Sequence, residues 1–182
     1  MEAGVRLIYE HGYEALTLRQ LAKDVGLQPG SLYNYIETKQ DLLVTLLRGH
    51  LSRLLVEVDG ALSGVEDPLE RLTIFIEFHL IAHMERKADV FIANSELRSL
   101  EPENLKEIRG LRRAYEQKVT DIIEDCVKLG YFVATDTHVA ARAILAMLTG
   151  ICSWYREGGP MTKSELVKMH TDIIFQGLLI KR

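Results

Sequence analysis

Apolar residues recur at helical spacing from one end of this 182-residue chain to the other, and no stretch alternates β-branched with polar residues between Gly/Asn turns. That periodicity confines the fold to the all-α class. Chemical punctuation then marks where helices begin and end. The spacing predicts a first helix over Glu2–Glu10, with Ala3, Leu7 and Ile8 on one face and Gly12 as its stop. Two short helices follow, then a long one over Lys39–Leu62 closed by Gly64. Asp67 ahead of Pro68 pairs a capping side chain with a proline at the first helical position, opening a helix towards Lys87. Glu101 and Pro102 repeat the signal for a helix to Leu129, stopped by Gly130. Asp136 caps a helix through Glu157, ended by Gly158, Gly159 and Pro160. Thr162 and Glu165 form a capping box for a last helix ending near Ile180, which brings the expectation to about nine helices.

Composition narrows the classes of function. With 47% hydrophobic and 26% charged residues the chain is an ordinary folded protein. No apolar run reaches bilayer length and the first residues lack the pattern of a signal peptide, so a cytoplasmic protein with no membrane partner is expected. Cys126 and Cys152 lie in apolar helical stretches without CxxC or metal-ligand spacing, which predicts reduced thiols. There is no GxSxG elbow, phosphate-binding glycine loop, HExxH or paired-carboxylate motif, and neither catalytic residues nor a cofactor is expected. The net charge is −4, and residues 1–50 hold five bases against six acids. A protein that binds nucleic acid usually carries a basic footprint, so any such role has to come from geometry.

The stretch from Thr17 to Lys39 carries that geometry. Thr17 suits a helix N-cap, and Leu18, Leu21, Ala22 and Val25 fall at i, i+3, i+4 and i+7, turning one apolar stripe inward. Arg19, Gln20 and Lys23 then point to solvent. Gly26 permits the positive φ of a tight reversal, and Leu27 is expected to plug the angle between the two helices. Pro29 begins a second helix on which Leu32 and Ile36 face the core, leaving Gly30, Ser31 and Asn34 outward with Tyr33 and Tyr35 on the flanks. Small residues let a backbone approach base edges, Ser and Asn supply donors and acceptors, and phenols reach phosphates. The same pattern also fits a plain helical hairpin with half-buried tyrosines.

The run Gly26-Leu-Gln-Pro-Gly-Ser-Leu-Tyr-Asn-Tyr-Ile-Glu-Thr-Lys-Gln-Asp-Leu-Leu43 resembles the signature of the TetR family over residues 3–47. The resemblance implies a helix-turn-helix domain over residues 1–47 and an all-helical ligand-binding and dimerisation domain over 48–182. It places Gln28, Pro29, Gly30, Ser31 and Asn34 where the family reads bases, and Thr17, Tyr33, Tyr35 and Lys39 where it contacts phosphates. The function implied is a ligand-responsive regulator, a repressor released from palindromic double-stranded operator DNA by a small hydrophobic or acyl-CoA-type effector. The competing readings are a helical adaptor of this fold that no longer binds DNA, and an all-α enzyme.

In that family the last two helices pair with their copies in a homodimer, which implies an interface including Ala143, Met147, Gly150, Ile151, Leu166, Ile173, Ile174 and Gly177. Composition alone points to a pocket of aromatic walls and a few polar groups at Phe75, Phe78, His79, His83, Phe91, Asn94, Arg98, Tyr115 and Trp154. Each could equally be plain core. The segments Glu77–His83, Asn94–Arg98 and Trp154–Pro160 are similar to the subgroup that controls fatty-acid and sterol breakdown and senses acyl-CoA thioesters. His79 and His83 stand at i, i+4, a spacing that could serve a metal, yet no third ligand is evident and no metal is expected.

Overall fold

The structure, a computed structural model, describes residues 1–133 and 136–178. Among these are ten α-helical segments, one 3-10 turn and no strand. They are α1 (Glu2–His11), α2 (Leu18–Asp24), α3 (Pro29–Tyr33), α4 (Lys39–Leu62), α5 (Pro68–Glu85), α6 (Lys87–Ser95), the 3-10 turn η1 (Glu96–Ser99), α7 (Pro102–Lys128), α8 (Thr137–Thr149), α9 (Ile151–Trp154) and α10 (Lys163–Leu178). The expected end of the last helix near Ile180 lies outside the described residues.

Two compact units emerge, and neither is a continuous stretch of chain. The first comprises Met1–Arg53 with Arg86–Arg112, the second Leu54–Glu85 with Arg113–Arg182. This differs from a division after residue 47 because α4 and α7 are long enough to contribute to both units.

In the first unit, Ile8, Leu21, Ala22, Leu32, Leu42, Leu43 and Leu47 form one core with Ile92, Ala93, Leu100 and Ile108. Helix α6 lies against α1, with the Tyr9 and Phe91 rings meeting edge to face at 5.3 Å. The sequence pattern misses α6 and η1 for a physical reason: α6 opens at Arg86 without a capping side chain, inside a charged run.

In the second unit α5 is buried around most of its circumference and packs against α8, α9 and α10. Its core joins Leu72, Phe75, Ile76 and Leu80 to Val119, Ile122 and Ile123 of α7, Ile144 and Leu148 of α8 and Ile174 of α10. The helix expected from Asp136 to Glu157 is shorter and broken. It divides at Gly150 and ends at Trp154, where Tyr155 turns extended and buries its ring.

Candidate functional site

Local side-chain chemistry builds the helix-turn-helix. Thr17 Oγ1 accepts from the Gln20 amide at 3.2 Å while Gln20 Oε1 accepts from the Thr17 amide at 2.9 Å, a reciprocal cap that starts α2. Helix α2 stops in a Schellman turn: Leu27 N–H reaches the Ala22 carbonyl at 2.8 Å, and Gly26 N–H the Lys23 carbonyl at 3.2 Å. Gly26 has φ +70°, a left-handed backbone that a side chain would strain. Pro29 then opens α3 at its first turn. Thr38 and Asp41 form a second reciprocal cap, at 2.9 and 3.0 Å, that starts α4.

Two inward assignments are corrected. Val25 and Leu27 are each 42% exposed, because the Schellman turn carries the chain outward there; the angle between helices is filled by Leu21, Ala22 and Leu32. Leu32 is buried and Ile36 half-buried, as the spacing requires.

Gln28, Gly30, Ser31 and Asn34 are exposed, Pro29 is half-buried, and a Cβ placed on Gly30 would meet nothing within 4 Å. Tyr33 is half-exposed and Tyr35 is 83% exposed. Two expected phosphate contacts already have internal partners. The Thr17 hydroxyl belongs to the α2 cap, and Lys39 Nζ donates to the Glu14 carbonyl at 3.1 Å while lying 4.6 Å above the Tyr13 ring.

A groove of about 410 Å³ runs between α2 and α3, lined by Thr17, Arg19, Gln20, Lys23, Leu27, Gln28 and Pro29. Arg19 and Lys23 stand one turn apart on its wall, and among the described residues neither has an ion-pair partner. Elsewhere in this unit Arg6 is bound to Asp24 at 2.6 Å and Arg48 grips both oxygens of Glu107. These pairs leave residues 1–50 acidic, since each takes up a base as well, so placement rather than net charge decides what the α3 face meets. Asp24 is neutralised, Asp41 serves a helix cap, and two uncommitted cations border the α3 face. Their i, i+4 placement was visible in the sequence; what was not visible is that neighbouring acids are engaged elsewhere.

The expected effector residues divide between the units. Phe75, Phe78, His79, His83, Tyr115 and Trp154 belong to the second, whereas Phe91, Asn94 and Arg98 belong to the first. In the second unit His79 is the hub. Its Nδ1 lies 3.1 Å from Tyr115 Oη, its Nε2 3.2 Å from Thr149 Oγ1, and its ring stacks on His83 at 3.7 Å. Phe75 flanks both His79 and Tyr115. Burial pushes the Tyr115 hydroxyl far above its ordinary range, so it stays a neutral phenol. Trp154 is not part of this cluster: it is 53% exposed and stacks on His170 of α10. In the first unit Phe91 packs on Tyr9, and Asn94 accepts from Arg112 at 3.1 Å. Among the described residues no group of three His, Cys, Asp or Glu side chains is arranged for a metal.

The expected dimer residues also separate. Ile151, Leu166 and Ile174 are core residues of their own subunit, because α9 and α10, like α8, pack against α5 and turn these side chains inward. Ala143, Ile173 and Gly177 are exposed, Met147 and Gly150 half-buried, and Val139 and Met169 extend the same outward surface. Met169 and Ile173 point out where their neighbours His170 and Ile174 point in.

Known proteins share both the sequence pattern and this architecture. Residues 1–46 match the family described as bacterial regulatory proteins, tetR family, and residues 65–178 match the tetracyclin repressor-like C-terminal domain. The chain belongs to the TetR family. It is similar to the HTH-type transcriptional repressor KstR2 of Mycobacterium tuberculosis, with 25% identity over 98% of this chain and 90% of that one. The TetR-family transcriptional regulator PfmR from Thermus thermophilus is 30% identical, with TM-score 0.86 over 100% of this chain and 98% of that one. AibR, crystallised with isovaleryl coenzyme A and operator DNA, has the same fold: TM-score 0.88 at 21% identity, covering 96% of this chain and 95% of that one. A TetR regulator thus accounts for the helix-turn-helix. No helix among the described residues is long and apolar enough to cross a membrane.

Proposed function

We propose that this TetR regulator acts as a homodimeric repressor whose α3 reads a palindromic operator and whose second unit responds to an acyl-CoA-type effector. The observation that carries the reading is the α3 face. Gly30, Ser31 and Asn34 are exposed, Gly30 leaves open space for close approach, and Tyr33 and Tyr35 stand beside them. Gln28, Pro29, Gly30, Ser31 and Asn34 meet base edges in the major groove. Tyr33, Tyr35, Lys39 and Thr17 contact phosphates; Lys39 keeps two N–H donors for that purpose beyond the one given to Glu14, and the Thr17 hydroxyl turns its proton from Gln20 Oε1 to the phosphate oxygen. Arg19 and Lys23 add two mobile cations along the groove.

Dimerisation uses the outward stripe of α8 and α10, where Ala143 and Gly177 allow close approach and Ile173 with Met169 supplies apolar area. The effector contacts the polar cluster of His79, Tyr115 and Thr149 within its aromatic wall. AibR was crystallised with isovaleryl coenzyme A, which supports an acyl-thioester class of effector; KstR2 is described as a ketosteroid transcriptional regulator, which supports a hydrophobic one. Release from DNA follows when the effector binds better to the conformer that cannot straddle both half-sites.

Selection of bound duplexes from random DNA, followed by challenge with acyl-CoA thioesters of increasing chain length, tests the reading. The expected result is enrichment of an inverted repeat and its release by one class of thioester. Enrichment of no duplex would overturn the DNA-binding reading, and enrichment without release would overturn the effector class.

A further inference from the structure

Gln40, on the first turn of α4, has all four hydrogen-bonding positions of its amide occupied within the first unit. Nε2 donates to the Ser99 carbonyl and to Tyr13 Oη, the latter at 3.2 Å. Oε1 accepts from the Glu101 backbone N–H at 3.2 Å and from Asn104 Nδ2 at 3.4 Å. The orientation of the amide is determined, since a backbone carbonyl can only accept and a backbone N–H can only donate. Ser99, Glu101 and Asn104 sit where η1 ends and α7 begins, about sixty residues away in sequence.

The turn that bears Gln40 directly follows α3, and its neighbours are tied as well. Lys39 holds the corner between α1 and α2 through the Glu14 carbonyl and the Tyr13 ring, while Asp41 caps Thr38. Tyr13 touches both ties, its ring meeting Lys39 and its hydroxyl meeting Gln40. One turn of α4 therefore carries contacts to the α1–α2 corner on one side and to the η1–α7 corner on the other.

From this we infer that Gln40 is a positioning residue for DNA binding: it sets α3 against the η1–α7 corner, so that displacement of the corner moves the reading helix. This rests on the proposed reading that α3 contacts DNA. Gln40 itself touches neither bases nor phosphates. An uncharged amide committed to four internal partners has nothing left to offer a phosphate, and its effect is the same on every sequence.

The test uses the full chain and the duplex obtained by selection, with binding measured well below the melting transition so that all the protein is folded. Gln40→Met keeps the shape and removes every hydrogen bond. It is expected to weaken duplex binding about tenfold, leaving base preference and the slope of affinity against salt unchanged. Asn104→Ala, which removes one partner from the far corner, is expected to weaken it about threefold, and the double variant no further than Gln40→Met alone. Hydrogen exchange at the Glu101 amide should quicken in both variants carrying Gln40→Met.

Three results would overturn the inference: duplex affinity within about twofold of wild type while the Glu101 amide exchanges faster, a salt slope shallower by about one, or effects of the two substitutions that multiply. The first would make Gln40 a structural tie only. If the wild-type chain selects no duplex, the DNA-binding reading fails together with this one; if it does and Gln40→Met binds equally well, only the positioning role fails.

Discussion

In the unit that carries α2 and α3, the helix starts are built by exposed side chains that pair with neighbours three residues away, as Thr17 does with Gln20 and Thr38 with Asp41. In the unit built on α5, α8 and α10, the polar cluster is buried and its partners are remote: His79 meets Tyr115 and Thr149 across 36 and 70 residues. Tyrosine shows the contrast in one residue type. Tyr35 is almost wholly exposed beside the α3 face, whereas Tyr115 is buried and held neutral by its surroundings. The lesson is that the first unit starts its helices with short-range polar pairs at the surface, while the second gathers polar groups from distant segments into one buried cluster, the one proposed to meet the effector.

The largest effect should come from the second unit. Phe75 is fully buried and touches both His79 and Tyr115, so Phe75→Ala is expected to cost about 3–5 kcal/mol in chemical denaturation. A loss under about 1 kcal/mol would mean that the core collapses around the gap and that the contrast between units is shallow.

His50 sharpens the comparison, since with Tyr13 and Glu96 it is a buried titratable group in the first unit. Burial pushes its imidazole down to about 4 from 6.5; Asp89 favours the charged form, and Arg86, Arg53 and Arg112 oppose it. The unfolded chain therefore takes up this proton at a higher pH than the folded one. The stability due to neutral His50 is complete above about pH 6.5 and is lost as the pH falls towards 4, by up to about 1.4 kcal/mol per pH unit. Denaturation curves for His50→Gln should be flatter over that window than those of the wild type.

Gly26→Ala places a Cβ at φ +70° in the turn ahead of α3, although nothing lies within 4 Å of it. The expected cost is about 1 kcal/mol by thermal unfolding, from backbone strain alone. Unchanged stability would show that the turn relaxes away from its left-handed form.

The smallest effect on stability belongs to Arg19→Ala with Lys23→Ala. Both side chains are exposed and, among the described residues, without an ion-pair partner, so the fold should change by less than about 0.5 kcal/mol, while the salt slope of DNA binding should fall by about one to two. A slope that does not move would remove both residues from the phosphate contacts.

Legibility followed the distance between interacting residues. The caps at Thr17, Asp67 and Thr162, the stop at Gly26 and the start at Pro29 act within one turn of chain, and each stands where the spacing placed it. Inward and outward faces were less legible near helix ends: Val25 and Leu27 look apolar and periodic, but the turn carries them outward. Helix α6 escaped notice because no cap announces it. The aromatic and polar residues grouped by composition as one pocket fall in two units, since composition carries no information about which segments meet.

Residue order alone determined the all-α class, most helix boundaries and the reading-helix motif, because caps, prolines, left-handed glycines and apolar periodicity act over a few residues and need no partner elsewhere. Only the tertiary structure decided that Arg86–Arg112 joins the helix-turn-helix unit, that Ile151, Leu166 and Ile174 are core rather than surface, and that Gln40 meets Ser99 and Glu101. Those outcomes depend on which apolar faces find each other during packing, a choice set by the whole chain at once rather than by any local pattern.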